Sequence, residues 1–89
     1  MPRLVFTQNL QRHVTAPPTD APGATVRAVL DAAFVGNDRL RGYVLDEQGA
    51  LREHMIVFVD GKPIRDRRTL ADGVPAAGEV YVMQALSGG

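Results

Sequence analysis

No cysteine occurs in the 89-residue chain, which excludes a disulfide framework, a thiolate nucleophile and any cysteine-ligated zinc site. The fold must therefore hold by packing and hydrogen bonding alone. Net charge is missing too: ten basic and ten acidic side chains cancel, and the pI is near 6.7. Nucleic acid and anionic membrane surfaces are thereby disfavoured as partners, because both are bound through an excess of positive charge. No apolar run approaches membrane-spanning length, and the segment from Met1 meets polar Thr7 and Gln8 too soon for a signal-peptide apolar region. A cytoplasmic address is the expectation. Internal repeats and low-complexity tracts are also lacking. What remains, 45% apolar and 22% charged residues, describes one small globular domain with a single core and little room for a deep substrate pocket.

The apolar pattern predicts an α+β plan. Leu4-Val5-Phe6-Thr7 and His13-Val14-Thr15-Ala16 read as the two strands of a first hairpin. The segment from Pro17 to Gly23, with its three prolines, reads as a connection that cannot continue either strand. A helix follows, capped by Thr25, with Val26, Val29, Leu30 and Ala33 on one stripe and Gly36-Asn37 at its end. Asp38 to Gly42 reads as a turn or single helical turn, and Tyr43-Val44-Leu45 as strand-like up to a turn at Asp46 to Gly49. The strongest β signal is His54 to Val59, running into Asp60-Gly61, a pair suited to a type I′ hairpin, with Lys62-Pro63-Ile64 returning. Arg65 to Gly78 is irregular, anchored by Leu70 and Val74, and Glu79 to Ala85 is the last strand. One mixed sheet of four or five strands should pack one face on one main helix.

Two features carry functional information. If Val80, Val82, Met55, Val57 and Val59 point at the helix, strand alternation places Ile56, Phe58, Tyr81 and Met83 on the opposite face. A half-buried sheet ordinarily puts polar side chains there, so these four form a candidate docking patch, the structural alternative being cover by a loop or a second copy. The other feature is the end of the chain, Leu86-Ser87-Gly88-Gly89. Residues 1–85 read as the domain and 86–89 as a flexible tail. Glycines can thread a narrow channel, and four extended residues reach at most about 14 Å.

The stretch from Asp72 to Gly89, with its terminal Gly-Gly, resembles the end of the MoaD/ThiS family of ubiquitin-like sulfur carriers. His54 to Gly61 is similar to that family's central strand, and Gly23 to Leu30 to its helix start. The resemblance covers nearly the whole chain and implies a β-grasp fold. It further implies that the chain is no enzyme itself but the substrate of an ATP-using adenylyltransferase related to ubiquitin-activating enzymes. That partner would convert the Gly89 carboxylate to an acyl-adenylate, and a sulfur donor would displace AMP to leave a thiocarboxylate for a sulfur-accepting enzyme. In this scheme Gly89 is the carried group, Gly88 the slim neck, and Ile56, Phe58, Tyr81, Met83 and Leu86 the recognition surface. The chain binds no cofactor in this reading, and it could serve as the non-catalytic small subunit of a sulfur transferase. Gln84 stands where many relatives carry proline, and the first strand lacks the signature common in molybdopterin synthase small subunits, so the pathway stays open among molybdopterin, thiamine, cysteine and others. A ubiquitin-like modifier and a non-covalent binding module are the alternatives.

Other residues favour no chemistry of their own. His13 and His54 lack the spacing of a metal or catalytic pair. Arg65-Asp66-Arg67-Arg68 reads as a solvated loop that could also meet an acidic partner. Asp46, Glu47, Asp60, Asp66 and Asp72 each sit in a turn, where a carboxylate serves local hydrogen bonds.

Overall fold

Alternating burial fixes the sheet. The structure is a computed structural model describing residues 1–7, 10 and 17–84. In β1 (Arg3–Phe6) Leu4 and Phe6 are buried, and in β5 (Glu79–Gln84) Val80 and Val82 are. These two strands run parallel, with Leu4 beside Val80 and Phe6 beside Val82. On the other side of β5, β3 (Met55–Val59) pairs antiparallel, Met55 against Gln84 and Val57 against Val82. β3 turns into β4 (Lys62–Pro63) through Asp60 and Gly61, both at positive φ (49° and 83°), as a type I′ turn requires. β2 (Thr19–Asp20) pairs antiparallel with β1, giving the order β2-β1-β5-β3-β4. This is the mixed five-stranded sheet of a β-grasp, ubiquitin-like fold.

The first helix, α1 (Val26–Phe34), buries Val26, Val29, Leu30 and Phe34 against the sheet, with Ala33 partly covered. An α-helix leaves its first N–H groups without partners inside the helix, and here each is answered. Val26 N donates to the Asp72 carbonyl and Arg27 N to that of Leu70, while Ala28 N donates to Thr25 Oγ1 and Val29 N to the Thr25 carbonyl. The Arg27 guanidinium adds bonds to the carbonyls of Gly49 (2.6 Å), Thr69 and Arg68. The irregular segment 65–74 is thus sewn to the helix start, and its anchors Leu70 and Val74 are buried as expected. Two carboxylates shape it from within. Asp72 accepts from the main-chain N–H groups of Arg65 and Asp66, and Asp66 accepts from those of Arg68, Thr69 and Ala71 and from the Thr69 hydroxyl.

Three expectations are corrected. The strand paired with β1 is Thr19–Asp20, within the segment read as a connection; His13 to Ala16 lies outside the described residues. An edge strand pairs on one side only, so nearby prolines cost it no ladder bond, and Ala21 N still donates to the Pro2 carbonyl. Asp38–Val44 is a helix, α2, so Tyr43 and Val44 are helical where a strand was expected. Asn37, expected at the end of α1, has φ −137° and caps α2, its side chain accepting from Leu40 N, while Gly36 alone supplies the positive φ. Leu40 and Val44, four apart, are both buried, and this i,i+4 stripe outweighs the β preference of Tyr43-Val44-Leu45; Leu45 keeps only an isolated bridge to Leu51. Val59 faces inward as expected, packed against the core, and is only partly buried because it lies at the end of its strand.

Leu30→Ala empties a fully buried site under the sheet and should cost about 2–5 kcal/mol in urea unfolding. A pH series tests the 65–74 segment. Hydrogen bonds from Thr69 and neighbouring N–H groups hold the Asp66 carboxyl well below the ordinary range, and those from Arg65 and Asp66 hold Asp72 down as well. A depressed folded-state value contributes stability above the unfolded value, about 4, and loses it as pH falls through the folded one. Urea midpoints should therefore hold between pH 7 and 5 and fall below about pH 4, and Asp66→Asn should flatten that acid limb.

Candidate functional site

The sheet face away from α1 is built by the residues that alternate with the core. Ile56, Phe58, Tyr81 and Met83 all emerge there half-buried. The pairing brings them together, Ile56 beside Met83 and Phe58 beside Tyr81. Cross-strand neighbours stand about 5 Å apart, so the four form one contiguous patch. The register also extends it. Val5 lies beside Tyr81 and Pro63 beside Phe58, so one row crosses four strands as Val5, Tyr81, Phe58 and Pro63. Val5 and Pro63 escaped the sequence reading. The signal for Val5 was present, because Leu4 and Phe6 facing in force it out; that for Pro63 depends on strand register, which no local pattern specifies.

Polarity changes along the strands. At the start of β5 the same face carries Glu79 beside Arg3, and Arg3 beside Asp20, all exposed. Two residues further on comes the Val5–Tyr81–Phe58–Pro63 row, and two beyond that Met83 and Ile56. β5 therefore carries the chain from a charged row into the apolar rows, and its last residue, Gln84, pairs with Met55 at the apolar end. The four tail residues with their expected roles, Leu86, Ser87, Gly88 and Gly89, lie outside the described residues, as does Ala85. Their root is placed all the same: they follow Gln84 where the apolar patch ends.

Nothing else among the described residues gathers into a competing centre. No group of three or more His, Cys, Asp or Glu is placed there to hold a metal ion. His54 is exposed in the turn before β3, and His13 lies outside the described residues. Asp46, Asp66 and Asp72 hold main-chain N–H groups within their own irregular segments, as expected; Asp60 instead accepts from Glu79 N at the start of β5, and exposed Glu47 holds no such group among the described residues. The Arg65–Arg68 run is less solvated than its charge suggested. Arg67 reaches the carbonyls of Arg52 and Glu53, so it braces the approach to β3. No helix among the described residues is long and apolar enough to cross a membrane.

Comparison with known proteins agrees at the level of fold. No protein-family model and no curated protein sequence matches the chain. Among solved structures it is similar to Amycolatopsis orientalis CysO, seen in a BexX/CysO complex, at 20% identity over 100% of both chains with a TM-score of 0.82. Haloferax volcanii SAMP1 shares 24% identity over 98% of this chain and 97% of its own, with a TM-score of 0.76. Mycobacterium tuberculosis CysO shares 18% identity over 97% of this chain and 100% of its own, with a TM-score of 0.79. The ubiquitin-like resemblance read in the sequence thus recurs in three dimensions.

The two faces differ in what a charge does to them. Phe58→Asp or Met83→Asp alters a half-open face and should cost on the order of 1 kcal/mol of stability. Val57→Asp, one residue away but fully buried, should leave the chain unfolded, because an unpaired charge would be taken into the core. Urea unfolding of the three variants reads the difference.

Proposed function

We propose that the chain is a ubiquitin-like sulfur carrier whose Gly89 carboxylate is activated and sulfurated by partner enzymes in the cytoplasm. The observation that carries this reading is the apolar sheet face lying at the end from which a Gly-Gly-terminated tail departs. The fold shared with CysO and SAMP1 supports it, as does the capture of one CysO in a complex with BexX. Ile56, Phe58, Tyr81 and Met83, joined by Val5 and with Leu86 at the tail, would seat the domain on an adenylyltransferase, and the tail would enter its ATP site.

The chemistry explains the division of labour. A carboxylate resists nucleophiles because charge and resonance protect its carbon. Transfer of AMP from ATP onto the Gly89 carboxylate, with loss of pyrophosphate, gives a mixed anhydride with a good leaving group. A sulfur donor then displaces AMP, and the thiocarboxylate holds its sulfur covalently until an acceptor enzyme draws on it. Gly88 and Gly89, lacking Cβ, keep the neck narrow enough for a channel. The carrier contributes no acid, base or nucleophile of its own. Its parts are a docking face, a neck and a carboxylate.

A second reading has a specific motive: SAMP1 is a small archaeal modifier protein. As a modifier the chain would undergo the same activation but pass to an amine on another protein.

The intact mass of the protein recovered from its native host, without thiol-reactive reagents, separates these. A species heavier by the difference between a sulfur and an oxygen atom, localised to Gly89, is the expected result. Conjugates that survive reduction and vanish on deleting Gly88-Gly89 would point to the modifier. Full function of that deletion variant would overturn both.

A further inference from the structure

Gly42 is a glycine that the fold does not require. It lies inside α2, where glycine weakens a helix. Its φ is not in the left-handed region, and a Cβ added there would meet no heavy atom within 4 Å beyond its chain neighbours and its own helix. The position borders a shallow hollow of about 300 Å³, lined by Gly42, Tyr43, Arg52 and His54. That volume is at the low end for a ligand pocket. None of the four residues belongs to the apolar sheet patch.

The cation in the hollow is fixed in advance. Arg52 is held at three points: its main-chain N–H donates to the Val44 carbonyl (3.0 Å), its own carbonyl accepts from the Arg67 guanidinium (2.8 Å), and its Nε–H donates to the Gly42 carbonyl (2.7 Å). Both terminal nitrogens are left over, a planar fork matched to a carboxylate. No carboxylate among the described residues takes them. The ion pair found there joins Arg41 to Asp31, and Asp46, which borders a neighbouring hollow with Arg52, Asp38 and Glu47, already accepts from Gln48 N and Ala50 N. His54 is exposed, with no hydrogen bond or ion pair among the described residues, so a ring N–H is open as a further donor. Tyr43, half-buried against the core, is a fixed aromatic neighbour. The last carbonyls of α2 put partial negative charge near the fork, which favours a ligand with one charge over a doubly charged phosphate.

From these observations we propose that the hollow is a binding site for a small aromatic monocarboxylate. Arg52 receives the carboxylate through its two terminal nitrogens, His54 adds a donor, and the flat apolar body lies beside Tyr43 in the space that the missing side chain of Gly42 leaves open. The hollow is shallow, so binding is weak and rapidly reversible. Nothing in it depends on the tail or on activation of Gly89.

The test titrates the full isotope-labelled chain with benzoate at constant pH and ionic strength, followed by two-dimensional NMR. Acetate, which lacks the ring, and benzamide, which lacks the charge, are the comparison probes. The expected result is a saturable shift of the Gly42, Tyr43, Arg52 and His54 amide signals with benzoate and a much weaker response to the other two. Arg52→Gln should weaken benzoate binding by roughly ten-fold, the effect of losing a hydrogen-bonded charge. Gly42→Leu should abolish binding while holding or raising the urea midpoint, because leucine is the better helix former; loss of binding there cannot then be laid to unfolding. An equal response to acetate, or shifts spread over the other arginines, means an adventitious ion only and overturns the site. Benzoate binding that survives Gly42→Leu, a lowered urea midpoint in that variant, or no saturable response to benzoate overturns it as well.

Discussion

The fold depends on how the first turn of α1 is closed. A helix beginning in the middle of a small domain, under a sheet, cannot leave its N–H groups to water on every side. Here the carbonyls of Leu70 and Asp72 take two of them and Thr25 takes two more. The same bonds hold a long irregular segment that would otherwise have little to order it. Leu70 adopts a left-handed backbone (φ 58°) while fully buried, an unfavourable conformation for a branched side chain. The hydrogen bonds donated by Val26 N and Arg27 N, and those accepted by the Asp66 and Asp72 carboxylates, surround it and make it tolerable. One set of bonds thus serves as helix cap, loop order and core closure.

That closure occupies one side of the sheet and leaves the other half-open, the face proposed above for docking. β5 is the strand common to both. Its even-numbered residues Val80 and Val82 fill the core, its odd-numbered Tyr81 and Met83 build the apolar patch, and its end carries the tail. The patch cannot shift relative to the tail root without unpairing β5 from both neighbours. In the proposed docking, contact with Tyr81 and Phe58 would also fix the position of Gln84, the last described residue of β5.

The parts legible in the sequence were those with a local physical signature. Thr25 as cap, the Val26-Val29-Leu30 stripe, the Asp60-Gly61 turn and the in-out alternation of β3 and β5 all follow from rules spanning a few residues, and the structure carries them. The outward placement of Ile56, Phe58, Tyr81 and Met83 came from that alternation. The failures were of two kinds. At Tyr43-Val44-Leu45, β preference was overridden by burial of Leu40 and Val44 as a helical pair, a tertiary effect that propensity does not contain. At Thr19–Asp20 the strand has two residues and no pattern at all, and exists because β1 had an open edge beside it. Val5 and Pro63 joined the site through register, which is set across strands and not along them.

The parallel pairing of β1 with β5 has a consequence for how the protein comes into being. Residues 3–6 and 79–84, nearly the whole chain apart, lie side by side at the middle of the sheet. Contacts of such long sequence separation form late, because the intervening chain must first be gathered in. During synthesis β1 must wait for a neighbour, β5, that lies at the far end of a long intervening stretch of chain. Closure of the sheet is therefore coupled to the making of β5: a body whose sheet is closed already carries Tyr81 and Met83, and with them half of its apolar patch.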